Sequence, residues 1–89
     1  MSNVFIAFQD NEDARPIIEA ILADNTEAEA SYPTGLVKII APGSLVIKRE
    51  SIEGLIGRSF NLQQIHVNLV TLSGHIDEDD DQFSLSWTH

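Results

Sequence analysis

The residues best suited to chemistry are the run Asp77, Glu78, Asp79, Asp80 and Asp81 and the histidines His66, His75 and His89. Consecutive carboxylates suggest a hard cation such as calcium, which binds through oxygen ligands alone. A calcium loop of the helix-loop-helix kind needs glycine at its sixth position and a bidentate glutamate at its twelfth, and counted from Asp77 those places hold Gln82 and Thr88. The run therefore reads as a solvated hairpin loop whose like charges discourage edge-to-edge association. The histidines share no spacing that sets two imidazoles on one helix face, so no metal triad is expected. His66 is placed on the outer face of a strand and His75 in a loop, both at the surface.

Serine is plentiful, yet there is no Gly-x-Ser-x-Gly turn and no histidine matched to an orienting acid, so nucleophilic catalysis has no support. Gly54 and Gly57 stand in Gly54-Leu-Ile-Gly57, which lacks both the phosphate-loop lysine and the dinucleotide pattern. Packing and helix termination explain them. Cysteine is absent, which removes disulfides, iron–sulfur ligation, thiolate zinc and cysteine nucleophiles together. No catalytic, cofactor-binding or metal residues are assigned, and no cofactor is expected.

Fourteen acidic and five basic residues give a net charge of −9, which repels nucleic acid and anionic membranes and favours a partner with a basic surface. No apolar run is long enough to span a bilayer, and the first residues lack the basic and apolar regions of a signal peptide, so the cytoplasm is the expected location. A chain of 89 residues, 43% of them hydrophobic, is expected to form one domain with one core.

The elements are organised around residues 36–49, where two apolar runs flank Ala41, Pro42 and Gly43. This reads as an antiparallel hairpin in which Ile39 pairs with Leu45 and Val37 with Ile47, leaving Leu36, Lys38, Ile40, Ser44, Val46 and Lys48 on the other face. Before it come a strand over residues 4–9, with Val4, Ile6 and Phe8 on one face, and a helix capped by Asn11 or Asp13. Pro16 lies in the first turn of that helix, Ala14, Ile17, Ile18, Ile21 and Leu22 form its apolar stripe, and Asp24 and Asn25 end it. An edge strand over residues 27–32 follows. After the hairpin come a short helix capped by Ser51, striped by Ile52, Leu55 and Ile56 and stopped by Gly57, then a single turn capped by Asn61. A strand over residues 65–72 faces the core with Ile65, Val67 and Leu69 and pairs with a last strand carrying Phe83, Leu85 and Trp87. A long acidic loop separates the two.

This order is strand, helix, strand, strand, twice over, with the boundary at Pro42 and Gly43. The fold class is α+β: two β-α-β-β motifs packed together, an antiparallel sheet with helices, resembling a ferredoxin-like arrangement, in halves of about 1–42 and 43–89. Phe5, Leu36, Ile40, Val46, Val70 and Leu72 fall opposite the expected core, as loop-covered residues or as a patch for another protein. Protein binding is the function left by elimination.

Several blocks in order carry a resemblance: Arg15-Pro-Ile-Ile-Glu-Ala-Ile21, Gly35-Leu-Val-Lys-Ile39, Ala41-Pro-Gly43, Arg49-Glu-Ser51, Asn68-Leu69, Leu72-Ser-Gly74, Asp77-Glu-Asp-Asp-Asp81 and Leu85-Ser-Trp87. Across nearly the whole chain they resemble the effector-protein family of soluble diiron monooxygenases, in its branch of regulatory or coupling components of phenol hydroxylase. The resemblance implies a cofactor-free, non-catalytic regulatory protein with a fold of two strand-helix-strand-strand motifs. Its partner would be a diiron hydroxylase that draws electrons from a flavin and iron–sulfur reductase. Such an effector docks above the diiron site and controls access of substrate and O2, which physically is a population shift driven by differential affinity. In relatives the small polar residues at the end of the strand corresponding to residues 65–72 lie at the docking surface, which points to Thr71, Ser73, Gly74 and His75. Asn68 is added as a contact, with Phe5 and Val70 as apolar contacts. The rival reading is a small-molecule-binding regulatory domain with a ferredoxin-like sheet, which would show a ligand pocket between helix and sheet. A stand-alone small enzyme using the acidic cluster is the remaining class, and bound metal or chromophore would mark it.

Overall fold

The computed structural model describes residues 3–87. His89 and Thr88 lie outside them. The elements run β1 (Asn3–Gln9), α1 (Arg15–Asp24), β2 (Glu29–Ser31), β3 (Leu36–Pro42), β4 (Ser44–Lys48), α2 (Arg49–Ile56), a 3-10 turn (Leu62–Gln64), α3 (Ile65–Asn68), β5 (Leu69–Ser73), β6 (His75–Glu78) and β7 (Gln82–Ser86). All strand pairing is antiparallel, in a four-stranded sheet of order β2-β3-β1-β5 and a three-stranded sheet of order β4-β7-β6. The α+β class and antiparallel pairing are those expected.

The central hairpin is not formed. β3 pairs with β1 and β2, β4 pairs with β7, and residues Pro42 and Gly43 carry the chain from one sheet to the other instead of turning it back. Gly43 takes φ 80°, which only glycine adopts without strain, and this redirects the strand. The expected core face survives: Val37, Ile39, Ala41, Leu45 and Ile47 are all buried. Period-2 alternation defines a face whichever strand is the neighbour, so the face was legible and the partner was not.

Val4, Ile6 and Phe8 of β1 meet Ile17 and Ile21 of α1, Ile52 of α2, Ile65 of α3 and Phe83 and Leu85 of β7 in one continuous core. The α1 helix packs along β4 and against α2. Neither Asn11 nor Asp13 caps α1, whose N-cap position is Ala14 without a side-chain bond; Asn11 instead closes the turn before the helix, its Oδ1 accepting from the Ala14 N–H at 2.9 Å. Gly57 closes α2 with φ 72°, and Asn61 caps the 3-10 turn through the Gln63 N–H, both as expected.

Ser51 is not a cap. Lys48 leaves β4 extended and Arg49 enters α2 directly, so Ser51 sits inside the helix with its hydroxyl donating to Asp24. Leu55, expected in the stripe, is exposed. The largest departure is over residues 65–72, where the first half is helix and only Leu69–Ser73 is strand. Leu62, Ile65 and Asn68 are buried at intervals of one helical turn, whereas Val67, which strict alternation would bury, is 74% exposed. β5 then pairs with β1 and not with the last strand. Part of the expected acidic loop is β6, which pairs with β7. Trp87 lies beyond β7 and outside the core, 41% exposed, its indole N–H donating to the Asn3 carbonyl at 2.9 Å. Among the described residues, no helix is long and apolar enough to cross a membrane.

Candidate docking surface

One face of the four-stranded sheet carries the core residues of β1 and β3, and the register places different residues on the other. Phe5 lies between Ile40 of β3 and Ser73 of β5, while Ala7 lies between Lys38 and Thr71. Two rows therefore cross the outer face, Glu29–Ile40–Phe5–Ser73 and Ser31–Lys38–Ala7–Thr71. Lys38 places its Nζ 4.3 Å from the centre of the Phe5 ring, a cation–π contact that orients a positive charge on a chain of net charge −9.

Phe5, Thr71 and Ser73 are thus brought together. Phe5 and Ser73 are half-buried and Thr71 is exposed. Val70 is the extra residue of a β-bulge, since Thr71 opposes Ala7 but Leu69 opposes Phe8, and it stands exposed on the sheet edge. Gly74, with φ 141°, carries the chain into the second sheet, where a Cβ would lie 3.0 Å from Val4 Cγ1 and 3.4 Å from Leu85 Cβ. The backbone at Gly74 thus lies close against this chain's own core. His75 is exposed and begins β6 opposite Ser86, so it is a strand residue and not a loop residue.

Asn68 is not an outward contact. It is 8% exposed, the one buried polar residue among those described, and its Oδ1 accepts from Asn11 Nδ2 at 2.9 Å. It ends α3, whose helical turn rotates it inward, whereas the extended reading of residues 65–72 placed it outward. The hairpin reading of residues 36–49 puts Lys38 and Ile40 on its outer face. The β1–β3 register sets Ile40 directly opposite Phe5, and Lys38, opposite Ala7 in the adjoining row, reaches the Phe5 ring with its Nζ, relations that residue periodicity does not encode.

The acidic run is structured by hydrogen bonds. Asp79 Oδ1 accepts from the N–H groups of Asp81 and Gln82 at 2.8 and 2.9 Å, which holds its carboxyl below the usual aspartate range. Asp81 meets Arg49 at 2.9 Å, and its carbonyl accepts from the Arg49 N–H at 2.9 Å. Glu78 lies 3.2 Å from Nε2 of His66, whose ring stands edge-on to Phe83 at 5.8 Å. His66 is therefore on α3 and engaged, not on a strand face. Among the described residues no group of three or more His, Asp or Glu side chains is placed to hold a metal ion. A cleft of about 380 Å³ opens between the helices, lined by Pro16, Ile17, Ile52, Ile56, Phe60 and Val67 among others, rather than between helix and sheet.

Comparison with known proteins accords with this architecture. The chain is 43% identical over 86 residues to the stimulatory component DmpM of phenol 2-monooxygenase from Pseudomonas sp. strain CF600, covering 97% of this chain and 96% of that one. Two solved structures described as the phenol hydroxylase–regulatory protein complex contain a chain similar to this one. The first has TM-score 0.95 and 41% identity over 98% of this chain and 100% of that one, the second 0.91 and 40% over 97% and 100%. The regulatory protein B of soluble methane monooxygenase shares the fold at TM-score 0.75 and 21% identity, over 97% of this chain and 65% of that one. Residues 2–86 match the MmoB/DmpM family, and the chain belongs to that family.

Proposed function

We propose that residues 1–89 act as a single effector domain. It is a cofactor-free regulatory protein that binds the diiron hydroxylase of a phenol monooxygenase and promotes coupled, O2-dependent hydroxylation of phenols. The observation that carries this reading is 43% identity, over nearly the full length of both chains, to a stimulatory component of phenol 2-monooxygenase. The similar chains in the phenol hydroxylase complexes support the hydroxylase as direct partner. The reductase is a functional link through the hydroxylase, the location is the cytoplasm, and the net charge of −9 disfavours nucleic acid and anionic membranes. The docking surface is read as Phe5, Val70, Thr71, Ser73, Gly74 and His75, with Lys38 and Ile40 continuing it across the sheet.

The chain shifts the hydroxylase toward its competent state by binding that state more tightly, with a coupling of about 1–3 kcal/mol typical of such linkage. The test is to titrate the purified chain into a phenol hydroxylase and its reductase, following O2 use and product together. Turnover should rise saturably, and the chain alone should show none. Equal turnover of the two-component mixture with and without the chain would overturn the reading. The small-molecule alternative calls for a pocket between helix and sheet, whereas the cleft opens between the helices; phenol-induced shifts of Ile52 and Phe60 resonances in the isolated chain would be needed to support it.

A further inference from the structure

The strand placed at the docking surface is anchored at both ends by this chain's own residues. Its far end runs into Gly74, wedged against Val4 and Leu85. Its near end begins directly after Asn68, whose Oδ1 is held by Asn11 Nδ2 at 2.9 Å across 57 positions of sequence. The other amide atom of Asn11 is also committed, its Oδ1 accepting from the Ala14 N–H at the start of α1. One side chain thus joins the entry of α1 to the point where α3 becomes β5. Between the anchors β5 is loosely held: it is a sheet edge, interrupted by the bulge at Val70, with every residue at least partly exposed.

We infer that Asn11 and Asn68 are positioning residues for hydroxylase docking: their amide pair fixes where β5 starts, and so sets Val70, Thr71 and Ser73 in the geometry the partner meets. The inference rests on the docking reading above. A buried amide that also terminates a helix has few other ways to be satisfied, so losing the bond lets the α3–β5 junction move while the apolar core stays in place.

The test compares Asn68→Leu, which keeps the branch at Cγ and removes the acceptor, with Asn68→Asp, which keeps an acceptor for Asn11. Asn11→Ser is the second route, because a serine hydroxyl can still serve the Ala14 N–H but is too short to reach Asn68. In the free chain, amide hydrogen exchange over Leu69–Ser73 should quicken about tenfold in Asn68→Leu and Asn11→Ser, with β7 unchanged. In hydroxylase titrations the same variants should need about two- to tenfold more protein for half-maximal activation, the loss expected from one hydrogen bond, at an unchanged saturating rate. Asn68→Asp should restore both readouts. Wild-type exchange over β5, or wild-type half-maximal activation by both Asn68→Leu and Asn11→Ser, would overturn the inference. Ser73→Trp is the control for the docking reading itself: if it titrates as wild type, the surface is wrong, while the exchange measurement still decides whether the amide pair holds β5.

Discussion

The side-chain amide of Asn25 binds the backbone of Val46 as a neighbouring strand would: its Oδ1 accepts from the Val46 N–H at 2.9 Å and its Nδ2 donates to the Val46 carbonyl at 2.7 Å. The same Nδ2 donates to the Ile21 carbonyl in the last turn of α1 at 2.7 Å. β4 is the outer strand of its sheet, so one asparagine closes the helix and covers part of an otherwise bare edge.

Asn25→Ala should therefore cost more than an ordinary surface change, about 1–3 kcal/mol, because it leaves partly buried backbone groups on both elements unpaired. Asn25→Asp should do no better, since it keeps the acceptor for Val46 but sets a carboxylate against two carbonyls. Urea unfolding of the free chain measures both, and wild-type stability of Asn25→Ala would show that water replaces the amide without loss.

That bond also explains which parts of the fold were legible. Apolar alternation identified the buried faces of β1, β3, β4 and β7 and helical spacing identified α1, since both depend only on which side of an element meets the core. Strand partners depend on contacts distant in sequence. An asparagine that also reads as a plain helix stop takes one edge of β4, and glycines at 43 and 74 switch the chain between sheets. Over residues 65–69, apolar residues at Ile65 and Leu69 satisfy period 2 and period 3.6 alike, and only the exposure of Val67 separates them. Thr71 and Ser73, proposed as docking residues, carry no chemical signature of their own; only the family resemblance points to them, and the β1–β5 register joins them to Phe5.

The two sheet-switching glycines should respond differently to alanine. At Gly43 nothing lies within 4 Å of an added Cβ, so Gly43→Ala bears only the positive φ, about 1–2 kcal/mol. At Gly74 the Cβ would also press on Val4 Cγ1 at 3.0 Å, inside the core. Gly74→Ala should be the more destabilising of the two by melting temperature, and a reversed order would mean that the β5–β6 junction relaxes freely.

The acidic turn should titrate as a structural unit. Asp79 has a folded-state pKa below its unfolded value because the Gln82 and Asp81 N–H groups favour the carboxylate. Its contribution is thus fully present above the ordinary aspartate pKa of about 3.9 and is lost as pH falls through the lower folded value. In a pH titration by NMR, the Asp81 and Gln82 amides should shift together below that pH, and Asp79→Ala should abolish the step. Asp79, Asp81 and Glu78 of this run are committed to backbone, Arg49 and His66 partners, and no group of three or more His, Asp or Glu side chains among the described residues is placed to hold a metal, so chelator should leave the melting temperature unchanged. A large drop would assign a bound metal.

Ser73→Trp tests the docking surface most directly. Ser73 is half-buried on the outer face opposite Phe5, and its backbone is ordinary strand, so an indole there projects over the neighbouring ring without touching the core. Folding should change within about 0.5 kcal/mol, while central interface positions cost 2 kcal/mol or more, roughly thirtyfold in half-maximal activation. Lys38→Ala, across β1 in the adjoining row, removes the cation held over Phe5 and should weaken activation with a marked dependence on salt. Circular dichroism and melting temperature, measured alongside the titrations, separate lost docking from lost structure. If both variants activate as wild type, the hydroxylase meets another face, and the exposed Leu55 of α2 and Val67 of α3 become the next surface to change.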